Sequence, residues 1–145
     1  MNLRLGWLAH HAGQYVRAIA YYKAVQRIYP KATEPLWGQL LPLNAQENWI
    51  VAEKVYLSIL ALDPKNSSAI YHLRLIYYYR EDYAQAKKFL DISLELSPFD
   101  YYSILMSAWT RLFLGQTDEA ARLFDRVLLN TPDDQSAQER LACIR

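Results

Sequence analysis

The chain has 145 residues, of which 52% are apolar and 21% charged, a balance that fits one folded domain and excludes a disordered segment. The net charge is +1, which argues against nucleic acid or an anionic membrane surface as the partner. Cys143 stands alone, so no internal disulfide can form.

Apolar residues recur at helical spacing from end to end, interrupted by short turns. The first helix is predicted over about Asn2–Ala12, and Gly13-Gln14 makes the turn after it, because glycine suits the left-handed residue that ends a helix. A second runs over about Tyr15–Ile28 and stops before Pro30. The third spans about Thr33–Gln46, with Pro35 in its first turn, where proline is tolerated. Pro42 falls inside that helix and removes the bond to the carbonyl of Gly38, at a cost of about 3 kcal/mol. A kink or break is therefore predicted near Gly38–Pro42. A regular helix over Trp49–Leu62 follows, ending before Pro64. Ser67–Arg80 and Tyr83–Leu96 form the next pair around the turn Glu81-Asp82. Arg74 occupies a position where a small residue is expected; it either snorkels outward over a buried stem or pairs with an acid elsewhere. Tyr101–Leu114, the turn Gly115-Gln116 and Thr117–Leu129 make the last pair, with Asp118, Glu119, Asp125, Arg122 and Arg126 marking a solvated face.

Pro30, Pro64, Pro98 and Pro132 stand 34 residues apart, and a fixed period of this size signals stacked repeats. Ala18, Ala52, Ala86 and Ala120 keep the same step, followed four residues later by Tyr22, Tyr56, Leu90 and Phe124. The alanine lets two helices approach, and the large residue one turn on fills the space beside it. Asn66, Asp100 and Asp134 each follow a proline by two residues, where a helix takes its N-cap. The pattern resembles the tetratricopeptide repeat, W-x2-L-G-x2-Y, A-x3-F, P over 34 residues. The second half matches in all four repeats. In the first half Leu5-Gly6 gives one L-G pair, Leu73 and Tyr77 give the L and Y of another, and no repeat has the tryptophan. The resemblance implies an all-α, right-handed α-solenoid of helical hairpins, with repeats at 1–32, 33–66, 67–100 and 101–134. Residues 135–145 are either a capping helix or the start of a fifth repeat. Both ends read as cut from a longer array. No signal peptide or membrane-spanning run is legible, so the compartment stays unread, cytoplasm and bacterial periplasm both fitting.

In the family the first helix of each hairpin lines a concave groove. The resemblance places Leu3, Trp7 and His10 there, then Trp37, Leu41 and Asn44, then Tyr71, Leu75 and Tyr78, then Leu105, Trp109 and Leu112. Trp7, Leu41, Leu75 and Trp109 form one row at the repeat spacing, with His72, Tyr102 and Met106 close to it. An exposed apolar stripe rich in aromatics marks an interaction site and suits an apolar or amphipathic segment of a partner. The row also fits a packed core. Ser103, Ser107, Thr110 and Arg111 form a polar stripe on the other side of their helix, and if that helix is rotated, Leu105 and Trp109 turn inward. Some members of the family hold acidic tails with a clamp of lysine, asparagine and arginine. The corresponding places carry Leu3, Trp7, Gly38, Tyr102 and Met106, so that clamp is missing.

Catalytic sets are missing too: there is no glycine-rich phosphate loop, no H-E-x-x-H and no C-x-x-C, and no cofactor is called for. His10 and His11 point about 100° apart on a helix, a poor metal pair, and His10 with His72 supplies only two ligands. The sequence thus reads as a non-catalytic scaffold for a protein or peptide partner. Self-association through the groove or the repeat ends is the first rival, single-stranded RNA the second, and an accessory domain of an enzyme the third.

Overall fold

The computed structural model describes residues 2–144, with the side chain of Asn2 outside the description. Nine helices follow one another, and no strand occurs among the described residues. They are α1 (Asn2–His11), α2 (Tyr15–Ile28), α3 (Glu34–Ala45), α4 (Trp49–Leu62), α5 (Ser67–Tyr79), α6 (Tyr83–Leu96), α7 (Tyr101–Phe113), α8 (Thr117–Asn130) and α9 (Gln135–Ile144). Each lies within a residue or two of its expected bounds.

The chain divides within α5 into two compact units, the first ending at Ala69 and the second beginning at Ile70. In the first, α1 packs on α2 and α3, α2 on α3, and α3 on α4. Its core holds Ala18, Tyr22, Leu36, Leu40, Leu43, Ala52, Tyr56 and Ile59. In the second, α6 packs on α7, α7 on α8, and α8 on α9. There Ile104, Ala108, Ala120, Phe124 and Val127 are joined by Ala137 and Leu141 of α9. All four alanines of the 34-residue ladder are completely buried, and so are, within a few per cent, the large residues that follow them.

The turns repeat as closely as the cores. Gly13 and Gly115 take left-handed backbone at φ 76° and 80°, and Glu47 and Glu81, at the same places in the period, take φ 54° and 62°. Asn66, Asp100 and Asp134 accept from the amides of Ala69, Ser103 and Ala137 at 3.0, 2.9 and 2.9 Å, the capping their sequence positions predict. Asn48 and Asp82 cap α4 and α6 likewise.

Of the kink or break expected near Gly38–Pro42, the break does not occur: α3 runs from Glu34 to Ala45 as one helix with Pro42 inside it and fully buried. Pro42 stands only one turn from the C-terminus, and its carbonyl still accepts from the amide of Gln46 at 2.9 Å. The missing N–H is thus confined to the last turn, where the burial of the ring offsets it.

Candidate functional site

In the first unit Trp7 is 51% exposed and Leu41 is exposed beside it in the period. The His11 ring lies 4.2 Å from the Trp7 ring. Trp37 is half-buried, edge-on to Tyr56 at 6.1 Å. Asn44 donates from Nδ2 to the Tyr56 hydroxyl at 3.5 Å, while its Oδ1 is buried with no protein partner. His10 stands half-buried between His11 and Tyr15, and its Nδ1 is likewise buried and unpaired. Burial, and secondarily the neighbouring His11, lower the His10 pKa below its ordinary 6.5.

In the second unit Tyr71 and Tyr102 are exposed, and His72, Leu75, Tyr78, Met106 and Trp109 are half-buried. Burial lowers the pKa of His72 and raises that of Tyr78, to which Tyr83 and Tyr79 add. The polar stripe of α7 stays inside: Ser103, Ser107 and Thr110 are buried. Trp109 nonetheless packs against the Phe124 core, edge-on to that ring at 5.5 Å. Its other neighbours are Phe113, stacked at 5.9 Å, and Arg140 of α9, whose guanidinium lies 4.7 Å from the ring centre.

Arg74 does not reach solvent. It is buried, donates from Nη1 to Ser103 Oγ, and Ser103 passes a hydrogen bond on to Asp100 Oδ2 at 2.5 Å. Asp100 lies 3.9 Å from the same guanidinium nitrogen, so the acid that the sequence left unnamed is the cap of α7. Burial lowers the Arg74 pKa, opposed by Asp100 and then by Tyr71, over whose ring the guanidinium lies at 4.9 Å.

Two features escape a reading by position alone. Tyr83 and Phe113 stack at 4.6 Å, extending the aromatic surface from Tyr78 to Trp109, and Arg140 joins it from α9. The odd-numbered helices α1, α3, α5 and α7 carry one residue of Asp, Glu, Lys or Arg apiece (Arg4, Glu34, Arg74, Arg111), whereas α2, α4, α6 and α8 carry three, two, four and five. Of the four, Arg74 is buried and Arg111 is paired with Asp91 at 2.6 Å and Glu119 at 3.0 Å. That segregation was visible in the sequence once the helices were assigned. No group of three or more potential metal ligands and no helix long and apolar enough to cross a membrane occurs among the described residues.

Comparison with known proteins bears on the fold and the repeat. A family model described as tetratricopeptide repeat matches residues 1–33 and 105–143. No curated protein matches the chain. Among solved structures, YrrB, described as a TPR protein with an unusual peptide-binding site, is similar over 99% of this chain and 74% of its own, at 19% identity and TM-score 0.77. A MamA structure from AMB-1 matches over 99% of this chain and 78% of its own, at 19% identity and TM-score 0.77. MamA from Desulfovibrio magneticus RS-1 matches over 99% of this chain and 90% of its own, at 16% identity and TM-score 0.71. At these identities the likeness concerns the fold, an all-α helical-repeat solenoid. Repeat period, matched segments and fold together place the chain in the tetratricopeptide-repeat family.

Proposed function

We propose that the chain is a non-catalytic scaffold whose units each hold an apolar or amphipathic peptide segment, the first against the faces of α1 and α3 and the second against those of α5 and α7. The hairpins 1–32, 33–66, 67–100 and 101–134 are its repeats in this reading, and 135–145 closes them. The observation that carries it is the exposure of large apolar side chains on helices almost free of charge. Trp7, Leu41, Tyr71 and Tyr102 all face solvent, at 44% to 67% exposure. Such side chains, held on rigid helices, supply contact area with little entropy left to lose. YrrB, of similar fold, is described as peptide-binding, which supports the class of partner.

The test is selection from a displayed library of random peptides, followed by titration of the selected sequences. Sequences rich in apolar residues are expected, and the double substitution Trp7→Ala, Leu41→Ala should weaken their binding at least about tenfold while the melting temperature holds. Enrichment of acidic sequences, or binding that the double substitution leaves untouched, would overturn the groove assignment.

A second reading, self-association, is favoured by one observation. Leu5 and Leu8 are 40% and 48% exposed, whereas Gln39 and Pro42, one period on in the same unit, are buried. Light scattering across a concentration series distinguishes a constant monomer mass from growth toward a dimer.

A further inference from the structure

Arg140 makes no ion pair among the described residues. Its guanidinium instead lies 4.7 Å from the centre of the Trp109 ring, on the surface assigned above to a partner. A cation over an indole face is held by the ring's quadrupole, and guanidinium loses less hydration there than ammonium does. α9 therefore places an arginine side chain where a ligand side chain would lie.

Trp7 and Trp109 hold the same place in the 34-residue period. Each has a ring one turn on, His11 at 4.2 Å and Phe113 at 5.9 Å. They differ in what comes from the helix two further on, α3 for Trp7 and α9 for Trp109. Arg140 stands 31 residues after Trp109, and the residue 31 after Trp7 is Gly38. Gly38 cannot be extended, because a Cβ there would meet the Tyr22 ring at 2.2 Å. The position that delivers a guanidinium to one tryptophan delivers nothing to the other, and Trp7 is left half in solvent.

We propose that Trp7 is an arginine-binding subsite, and that Arg140 fills the equivalent subsite at Trp109 from within the chain. The partner is then a peptide segment that carries an arginine among its apolar residues. This deepens the groove reading and rests on it. The one acid of α3, Glu34, stands in its first turn, two turns before Leu41 on the same face, and is the charge on that helix available to a partner's guanidinium.

Two blocked peptides test it, acetyl-Leu-Ala-Arg-Ala-Leu-amide and the same peptide with citrulline, which keeps the shape of arginine and removes its charge. Binding is followed on the indole N–H signals of the 15N-labelled chain. The arginine peptide is expected to shift the Trp7 signal and to bind about fivefold more tightly than its citrulline twin. Trp7→Leu should abolish that preference. In wild type the Trp109 signal should stay still, and in Arg140→Ala, with unchanged circular dichroism, it should respond to the arginine peptide as well. Equal affinity for the two peptides overturns the arginine subsite and leaves the groove reading standing. A Trp109 signal that stays silent in Arg140→Ala overturns the equivalence of the two tryptophans. If neither peptide binds, the groove reading falls and takes the subsite with it.

Discussion

Tyr22 is held between two glycines. A Cβ at Gly6 would lie 2.7 Å from its ring and one at Gly38 would lie 2.2 Å from it, so the flat ring of α2 fills the space both residues leave. Gly38→Ala is expected to cost about 1–3 kcal/mol through overpacking and to lower the melting temperature accordingly. A melting temperature unchanged by the substitution would mean that the ring is free to move. The left-handed turn positions lead to the opposite sign. Glu47 and Glu81 bear a strain that Gly13 and Gly115 escape. Glu47→Gly and Glu81→Gly should each stabilise by about 0.5–1 kcal/mol, the relief of the left-handed side chain less the entropy glycine loses, as denaturant midpoints would report. Gly13 and Gly115 announce their turns in the sequence, because glycine there has one common meaning. Gly38 reads from sequence as the weak point beside Pro42, since nothing along the chain says that Tyr22 comes back to meet it.

At the scale of elements, α9 hangs on a corner as well as on its apolar face. Tyr101 of α7 donates its hydroxyl to Asp134 Oδ2, and the other oxygen, Oδ1, caps α9 at Ala137. The bond raises the Tyr101 pKa to about 12, the hydrogen bond to Asp134 being the main cause, and lowers that of Asp134 below 3.8. The two signs bracket a window. A lowered carboxylate stabilises above its unfolded value and loses that contribution as pH falls through the folded one. A raised phenol stabilises below its unfolded value of 10.0 and loses that contribution as pH rises toward 12. Amide exchange in α9 should therefore be slowest between about pH 4 and 10 after correction for intrinsic rates, and quicken on either side. A flat profile would deny the corner any role. Asp134→Ala, which removes both bonds, should cost about 1 kcal/mol or a little more. Helix bounds and caps were legible in the sequence because both rest on neighbours within a few residues. The partner of Arg74 was not, because Ser103 and Asp100 are brought to it only by the folded hairpins.

For the whole molecule, the uneven distribution of charge matters more than its net value. Peptide binding to helices that keep only Arg4 and Glu34 free of pairing or burial should change less than about threefold between 50 and 500 mM salt, apart from the arginine subsite. A steep fall would move the binding surface to α2, α4, α6 and α8, where most of the charge lies. Trp7 and Trp109 should also part company in stability. Trp7→Ala is expected to leave the melting temperature almost unmoved, whereas Trp109→Ala removes a ring packed on Phe124 and should cost about 2 kcal/mol or more. The row of four could be drawn from the repeat spacing. How deep each member sits could not, because depth depends on the helices that follow.

The clasp around Tyr22 has a consequence for rearrangement of the chain. A common period invites the view that hairpins are interchangeable parts, to be shuffled, duplicated or deleted at will. The place held by Gly38 is occupied in the later periods by His72, Met106 and Arg140. His72, brought next to α2 by deletion of one hairpin, Met106 by deletion of two, or Arg140 by deletion of three, would drive its side chain into the phenol ring. The order of the hairpins is thus written into their sterics: α2 accepts only the neighbour it already has. A chimaera that skips a period should fail to close there unless Tyr22 is made smaller at the same time.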